Sequence, residues 1–391
     1  MDVYARLGVA PIINCATTYT RLGGSLPPPA VVDAMARSAR CFVDVFALQA
    51  AAGRHLAQIT GNDAAYISNG AAAGLALAAA ACITGDDVAK MARLPTDLSG
   101  LKNEIVVHRV QRNWYDFAVR QTGATLVEIG HSMETAPWEL DAAITDRTAA
   151  VFYFAGEHLN HNTLPLAYVV ERAHARGVPV VVDAAAQIPP VSNLTAFTRG
   201  QGADLVIFSG GKGLNGPQNS GLVLGRADLI HAMTLNGPPN QRIGRPMKVA
   251  KDAIVGLVTA VELALARDEA ADVAAWGAQI DAWISAWTPI LPTGVTLTRA
   301  EINEAGEPIP RLIMTLGRAT PWDRAHLIQE LRDTSTGSPA IEVVHHPDGV
   351  SIAFNAHLLQ NDEPAIVTQR VNAILSAVPV IDRSQAAITT A

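Results

Sequence analysis

Short apolar runs recur along the first two thirds of the chain, and most are separated by segments with helical spacing. Between residues 41 and 230 these runs lie at 64–67, 104–108, 125–129, 149–154, 179–183, 205–209 and 221–224. Short runs that are apolar throughout are typical of strands buried on both faces, and their alternation with helices indicates a parallel sheet. The pattern therefore predicts an α/β fold with a mostly parallel seven-stranded sheet.

The two ends of the chain have different patterns. Residues 1–40 combine glycines and three consecutive prolines with a helix predicted from Ala30, whereas a helical pattern covers about 248–287. Strands are predicted near 311–316, 340–345 and 350–354. Because 391 residues exceed what one core usually supports, we predict several parts. These are an N-terminal arm (1–40), a large domain (41–245) and a small C-terminal α+β domain with its linking helix (246–391).

Composition narrows the functional classes. The formal charge is −7 and no long basic run occurs, so we expect no nucleic-acid partner. The amino terminus lacks the features of a signal peptide, and the Ala-rich run 71–83 is too short to span a bilayer. Three cysteines without metal-ligand spacing fit buried apolar positions in a reducing compartment. We therefore expect a cytoplasmic protein without a membrane partner.

Lys212 is the residue with the most informative position. It lies in a glycine-rich segment directly after the predicted strand 205–209, where α/β sheets bind ligands. A lysine amine that is desolvated, or placed beside other cations, has a lowered pKa and can form a Schiff base with a carbonyl group. A solvated loop lysine is the alternative interpretation.

Three other strand ends carry groups that suit a cofactor. Small residues at 68–74 lead from one strand into an Ala-rich helix, whose N–H groups could bind a phosphate, although Asn69 could be only an N-cap. His108 could stack on an aromatic ring or be a structural histidine. Asp183 could pair with a protonated pyridine nitrogen or cap a helix. Together with Lys212, these signals indicate pyridoxal 5′-phosphate (PLP).

The chain also resembles the fold-type I PLP enzymes, which have the aspartate-aminotransferase architecture. Within them it is similar to the bacterial selenocysteine synthase-like group, closest to its tRNA-independent branch, which includes D-glucosaminate-6-phosphate ammonia-lyase. The resemblance covers about residues 11–260. The segments that carry it are Thr-Arg-Leu-Gly-Gly-Ser (20–25), Val-Asp-Ala-Ala-Ala-Gln-Ile-Pro-Pro (182–190), Ser-Gly-Gly-Lys-Gly-Leu-Asn-Gly-Pro-Gln-Asn-Ser-Gly (209–221) and Gly-Arg-Pro-Met-Lys (244–248).

The resemblance implies roles for three catalytic residues. Lys212 would form the Schiff base with PLP, and Asp183 would pair with the pyridine nitrogen. His108 would lie over the cofactor ring. Glu157 and His158 depart from the pattern, because a less acidic pair is expected in this branch, and this weakens any assignment of substrate.

It also implies further cofactor contacts. Asn69 precedes the phosphate-binding turn, and Gly70 and Ala71 would offer backbone N–H groups to the phosphate. Ser209 would offer its hydroxyl group. Gln187, four residues after Asp183, would reach the phenolic oxygen of the cofactor, with a surface position as the alternative.

The reaction expected from the resemblance is elimination. We expect a lyase that removes the Cα proton of a β-hydroxy or β-substituted amino acid with Lys212 and releases ammonia and a 2-oxo acid. Racemisation or epimerisation, aldol cleavage and transamination remain open. A tRNA-dependent selenium transferase is the less favoured reading, since it should carry a basic RNA-binding surface that this chain lacks.

Substrate residues and assembly are less well determined by the sequence. A substrate carboxylate favours a bidentate arginine, for which Arg245, Arg311 and Arg21 are candidates, followed by Arg242. The adjacent His345 and His346 point in opposite directions if they lie on a strand, so we predict no metal. Fold-type I enzymes build their sites at dimer interfaces, so the resemblance implies a homodimer or a higher homo-oligomer. The segment 19–25 is our candidate for an arm near the site.

Overall fold

A computed structural model describes residues 3–335 and 337–377. Chain contacts divide it into two compact units. The larger comprises Gly23–Arg267 and Glu304–Glu307, and the smaller comprises Met1–Leu22, Asp268–Asn303 and Pro308–Ala391. Our domain bounds remain a prediction, and residues 378–391 of the proposed C-terminal domain lie outside the described residues.

The described secondary structure alternates strands and helices over most of the chain. The strands are β1 (Ile12–Cys15), β2 (Ala64–Ser68), β3 (Glu104–His108), β4 (Thr125–Ile129), β5 (Thr148–Phe154), β6 (Val180–Asp183), β7 (Leu205–Ser209), β8 (Gly221–Gly225), β9 (Val295–Ala300), β10 (Arg311–Leu316), β11 (Ala340–His345) and β12 (Ser351–Asn355). The α-helices are α1 (Pro29–Ala39), α2 (Val45–Thr60), α3 (Gly70–Thr84), α4 (Val88–Met91), α5 (Phe117–Arg120), α6 (Pro137–Ala143), α7 (Leu166–His174), α8 (Asn193–Thr195), α9 (Ala227–Asn236), α10 (Lys251–Leu265), α11 (Glu269–Trp287), α12 (Arg324–Arg332) and α13 (Glu363–Ser376).

The larger unit is built on the predicted seven-stranded sheet, in the order β2-β8-β7-β6-β5-β3-β4. Strands β3 to β7 pair in parallel, whereas β8 is antiparallel to both of its neighbours. Alternate residues of β5 and β6 enter apolar clusters on opposite faces. One cluster contains Leu56, Val169 and Leu257, and the other contains Leu75 and Ile230. Burial on both faces explains why the central strands are largely apolar, whereas the edge strand β4 carries exposed Thr125 and Glu128. The α/β prediction is confirmed.

Helix α10 groups with the larger unit, although the sequence division assigned it to the C-terminal domain. The reason is its apolar face: Ile254, Leu257 and Val261 are buried in one of the sheet's two core clusters. The single helical pattern predicted over 248–287 is two helices, because Asp268 interrupts it. The Asp268 side chain accepts a hydrogen bond from the Ala271 N–H and caps α11.

The smaller unit contains a five-stranded sheet in the order β1-β11-β12-β10-β9. Residues 12–15, expected as part of an irregular arm, instead form β1, which pairs in parallel with β11. Strand β9 was not predicted, since its pattern alternates between partly buried and exposed positions at the edge of the sheet. The core of this unit stacks the indoles of Trp283 and Trp287, with ring centroids 5.6 Å apart.

The three cysteines differ in burial. Cys15 is buried, and burial raises the pKa of its thiol, but Cys41 is exposed, contrary to our expectation of three buried cysteines. Cys82 is partly buried.

Within residues 3–335 and 337–377, no helix has the length and apolarity needed to cross a bilayer.

Candidate active site

The turn between β2 and α3 forms an open helix N-terminus at the carboxyl edge of the sheet. In the described structure the Asn69 side chain does not cap α3, so it leaves the first-turn N–H groups to other partners. A Cβ placed on Gly70 would meet no heavy atom within 4 Å, so the space before the turn is open. The Ser68 hydroxyl donates to the Gly70 carbonyl at 2.8 Å and holds the turn. This geometry suits a phosphate group.

Lys212 lies in a tightly closed loop between β7 and β8. The Gly210 N–H donates to the Ser220 carbonyl at 2.8 Å, and the Gly216 N–H donates to the Gly210 carbonyl at 2.7 Å. The Asn215 N–H donates to the Lys212 carbonyl at 2.9 Å. These backbone bonds anchor the lysine main chain and leave its half-buried side chain at the sheet edge.

Two other segments pack directly on this loop. A Cβ on Gly213 would overlap the Ile188 carbonyl oxygen, so the chain after β6 can approach only because this residue is a glycine. On another side, the Ser25 N–H donates to the Gly211 carbonyl at 2.9 Å. Residues 23–25 of the predicted arm therefore lie beside the lysine loop within the larger unit.

Asp183 lies at the end of β6 and shares the larger unit's sheet edge with Lys212. Its carboxylate is 9% exposed, and its Oδ1 accepts a hydrogen bond from the Ala185 N–H at 3.0 Å. Burial raises the pKa of the Asp183 carboxyl, although the Ala185 hydrogen bond and the charge of Lys212 oppose the rise. The structure thus brings together a carboxyl group in need of a cationic partner and a lysine amine.

His108 lies on the other face of the sheet. Asp183 pairs with Phe154 and belongs to the face that packs against α3, whereas the His108 ring lies edge-on to Tyr153, which faces the opposite core. Strand alternation separates the two side chains. His108 is 0% exposed, and its Nε2 accepts a hydrogen bond from the Leu164 N–H at 3.2 Å. The position of His108 over the cofactor ring, which the resemblance implies, remains a prediction.

Burial, partly offset by Gln111 and Glu139, lowers the pKa of His108 from 6.5 to about 4, so the fold favours the neutral imidazole. The stabilising effect of the neutral imidazole is therefore fully present above the pKa that His108 has in the unfolded chain. It is lost as the pH falls toward 4. We expect the wild type to lose about 2 kcal/mol more unfolding free energy than His108→Gln between about pH 7.5 and about pH 5. Urea unfolding at the two pH values measures the difference. The exposed-site variant His161→Gln should follow the wild type, and parallel curves for His108→Gln and wild type would contradict the prediction.

The side-chain amide of Gln187 donates hydrogen bonds to backbone carbonyl groups. Its Nε2 donates to the Ala186 carbonyl at 2.7 Å and to the Ala305 carbonyl at 3.0 Å. Ser209 is partly exposed at the end of β7 on the same edge. The cofactor roles that the resemblance implies for these two residues remain predictions.

The candidate arginines are spread over both units. Arg245 is exposed in the larger unit, and the Arg242 guanidinium donates to the Leu235 carbonyl at 2.6 Å. Arg311 is buried in β10 of the smaller unit, where Arg21 also belongs and pairs with Glu342 at 3.0 Å. The geometry within the larger unit therefore does not decide between them.

One segment of the larger unit gave no sequence signal. Residues 304–307 belong to it, although they lie more than a hundred residues beyond Gln187 in the chain. Their carbonyl groups bind the residues that follow β5 and β6. Such a contact has no local pattern, so only the folded chain reveals it.

The donor set fits PLP. A half-buried lysine amine, a buried carboxyl group and an open helix N-terminus meet the needs of its aldehyde, ring nitrogen and phosphate. In residues 3–335 and 337–377, no group of three or more His, Cys, Asp or Glu side chains has the arrangement needed to hold a metal ion.

The chain is similar to known proteins in sequence and in fold. Residues 103–245 match the sequence profile of the aminotransferase class-V family. The chain is 38% identical over 266 residues to D-glucosaminate-6-phosphate ammonia lyase from Salmonella typhimurium, a match that spans 67% of this chain and 69% of that enzyme. A solved structure of D-glucosaminate-6-phosphate ammonia-lyase superimposes with a TM-score of 0.83 at 31% identity, over 97% of this chain and 99% of the other.

A second relative has a different activity in its name. The 5′-C-glycyluridine monooxygenase-decarboxylase of a Streptomyces species is 39% identical over 265 residues, which is 66% of this chain and 64% of that protein. Because the sequence identities to the two relatives are nearly equal, they do not indicate which of the two activities this chain has.

Proposed function

The chain belongs to the D-glucosaminate-6-phosphate ammonia-lyase family of fold-type I PLP enzymes, and from that premise we propose that it eliminates ammonia from a β-hydroxy or similarly activated amino acid. The main support is the full-length structural similarity to that lyase, joined to the pair Lys212 and Asp183 on one sheet edge. D-Glucosaminate 6-phosphate is named as the substrate of the relative, and for this chain amino acids with and without a phosphate are compared in the product analysis.

In the proposed mechanism the residues of the chain divide the work. Bound PLP supplies an electron sink for the negative charge that develops at the substrate Cα. The amine of Lys212 would take the Cα proton, and the carboxylate of Asp183 would stabilise positive charge at the ring nitrogen. The N-terminus of α3, at Gly70 and Ala71, would hold the phosphate.

The chemistry balances without an added oxidant. The Cα–H bond and the Cβ–oxygen bond break, and the leaving hydroxide departs with a proton as water. The enamine that is released takes up water and yields a 2-oxo acid and ammonia. Racemisation, transamination and oxygen-dependent decarboxylation share the need for a lysine and an aspartate. An analysis of the reaction products therefore has to distinguish them from elimination.

The test is a product analysis on the cofactor-loaded enzyme. A panel of D- and L-β-substituted amino acids, with and without a phosphate, is incubated with the protein, and ammonia, 2-oxo acids, oxygen uptake and carbon dioxide are measured. We expect equal amounts of ammonia and 2-oxo acid without oxygen uptake. Oxygen uptake with carbon dioxide release would favour the monooxygenase-decarboxylase chemistry of the second relative. Absence of both ammonia and 2-oxo acid across the panel would refute the lyase proposal.

We also propose that the enzyme is a homodimer or a higher homo-oligomer. In the larger unit, exposed aromatic side chains lie at Phe42, Phe46, Trp114, Tyr115 and Phe117, and such apolar surface is typical of an interface. If sedimentation velocity showed that the active enzyme is a monomer, the result would contradict this proposal.

We also propose a cytoplasmic location and a small-molecule substrate. The free cysteines fit a cytoplasmic location, and the net charge of −7 fits a small-molecule substrate in place of a tRNA. Among the arginines, Arg245, Arg311 and Arg21 stay candidates for the substrate carboxylate.

A further inference from the structure

Four hydrogen-bond donors converge on two consecutive carbonyl groups of the larger unit. The Glu304 carbonyl lies 3.2 Å from the His158 backbone N–H and 2.9 Å from the His158 Nδ1. The Ala305 carbonyl accepts from the Glu157 backbone N–H at 3.1 Å and from the Gln187 Nε2 at 3.0 Å. We call this arrangement the 304–305 clasp. It joins three segments that are far apart in the sequence.

The clasp lies beside the catalytic groups. The Ala155 N–H donates to the Asp183 backbone carbonyl at 2.8 Å, so the segment that carries Glu157 and His158 begins beside the residue with the buried carboxyl group. On its other side, Gln187 adjoins Ile188, whose carbonyl oxygen packs against the residue that follows Lys212. A short series of contacts therefore connects the reactive amine to segment 304–307.

The Gln187 side chain has no amide hydrogen left for the cofactor. A glutamine amide nitrogen carries two protons, and here both are directed at backbone carbonyl groups, those of Ala186 and Ala305. Contact with a phenolate oxygen would require one of these donors to be released. Its observed bonds instead stabilise the loop that borders the site.

We propose that Gln187 is a positioning residue that holds segment 304–307 as a wall of the substrate site. The proposal rests on the proposed function, because it takes the edge at Asp183 and Lys212 as the place where the amino acid binds. Loss of the clasp should loosen the wall and weaken substrate binding, while the groups that hold the cofactor remain in place.

The clasp itself is tested without any substrate. Hydrogen–deuterium exchange is followed on cofactor-loaded wild type, Gln187→Ala and the nearly isosteric Gln187→Glu, which replaces the donor by an acceptor. Exchange in peptides that cover 303–309 should be about tenfold faster in both variants. The exposed-site control Gln201→Ala should match the wild type. Unchanged exchange in both Gln187 variants would overturn the proposal.

The effect on the substrate is tested by steady-state kinetics with the substrate found in the product analysis. Gln187→Ala should raise KM about tenfold, more than it lowers kcat, and leave the visible absorption of the bound cofactor unchanged. A shifted absorption would instead indicate direct contact with the cofactor and overturn the proposal, as would an unchanged KM with faster exchange.

A second variant opens the clasp from its other side. Gly306 has a φ of +86°, and a Cβ there would lie 3.2 Å from the Glu157 Cβ, so Gly306→Ala strains the loop without touching Gln187. It should raise KM to a similar extent, and the double variant should be little worse than either single one. Fully additive effects would overturn the clasp. If no amino acid is turned over, the proposed function fails, yet the exchange experiment still decides whether the clasp exists.

Discussion

Replacement of Lys212 by alanine is expected to lower kcat about 10⁴-fold, because in the proposed mechanism one amine both bonds the cofactor and takes the substrate proton. The loop should survive the change. Its closing hydrogen bonds run between backbone groups, including the one from Asn215 to the Lys212 carbonyl. Product formation under saturating substrate and cofactor measures the loss, and the visible absorption of the lysine-bound cofactor should disappear.

Two variants sharpen this test. Lys212→Arg keeps a positive charge near Asp183 but lacks the primary amine, so it should be almost as inactive as the alanine variant. Lys102, an exposed lysine just before β3, is the matched control, and Lys102→Ala should retain wild-type activity. If Lys212→Ala kept more than about a tenth of the wild-type kcat, the amine would not be the proton acceptor.

Replacement of Asp183 by asparagine is expected to have the second largest effect, a fall in kcat of about 10²-fold to 10³-fold. The isosteric amide keeps the hydrogen bond from the Ala185 N–H but supplies no negative charge for a ring nitrogen. The loss should appear in kcat with saturating cofactor. Asp146→Asn, at an exposed site, is the matched control and should behave as wild type.

Asp183→Asn is expected to stabilise the cofactor-free protein, although it lowers kcat. Because burial raises the pKa of Asp183, the fold favours the neutral carboxyl group, and its stabilising contribution is lost as the pH rises through the raised pKa. Asparagine is neutral throughout. Cofactor-free Asp183→Asn should therefore unfold at a higher urea concentration than wild type at neutral pH. A lower midpoint would mean that the carboxylate is already well compensated without a cofactor.

The strands of the larger unit were predictable because most are short, largely apolar runs, several of which end at a polar residue such as Ser68, His108 or Asp183. Strands β3, β4 and β7 have the predicted bounds, and β10 and β11 of the smaller unit do as well. Strand β1 was missed, since its partner β11 lies more than 300 residues away and no local signal marks the pairing. The break between α10 and α11 had a signal, the capping residue Asp268, which the continuous helical pattern concealed.

The site was predictable to the extent that it depends on strand ends. Asp183 and Lys212 follow adjacent parallel strands, and the carboxyl ends of such strands meet at one edge whatever the rest of the fold does. His108 also ends a strand, but the face on which its side chain lies depends on the pairing register. In the observed register the His108 side chain lies against Tyr153, on the other face of the sheet from the Asp183 side chain.

The sequence by itself determined the α/β sheet and placed Asp183 and Lys212 at the ends of neighbouring strands, because these features follow from local apolar runs and from the residues that end them. Only the tertiary structure decided which face His108 occupies, that α10 packs with the larger unit, and that segment 304–307 is bound by Glu157, His158 and Gln187. Those contacts join residues far apart in the chain, so no local pattern encodes them, and they form only when the strands settle into one register.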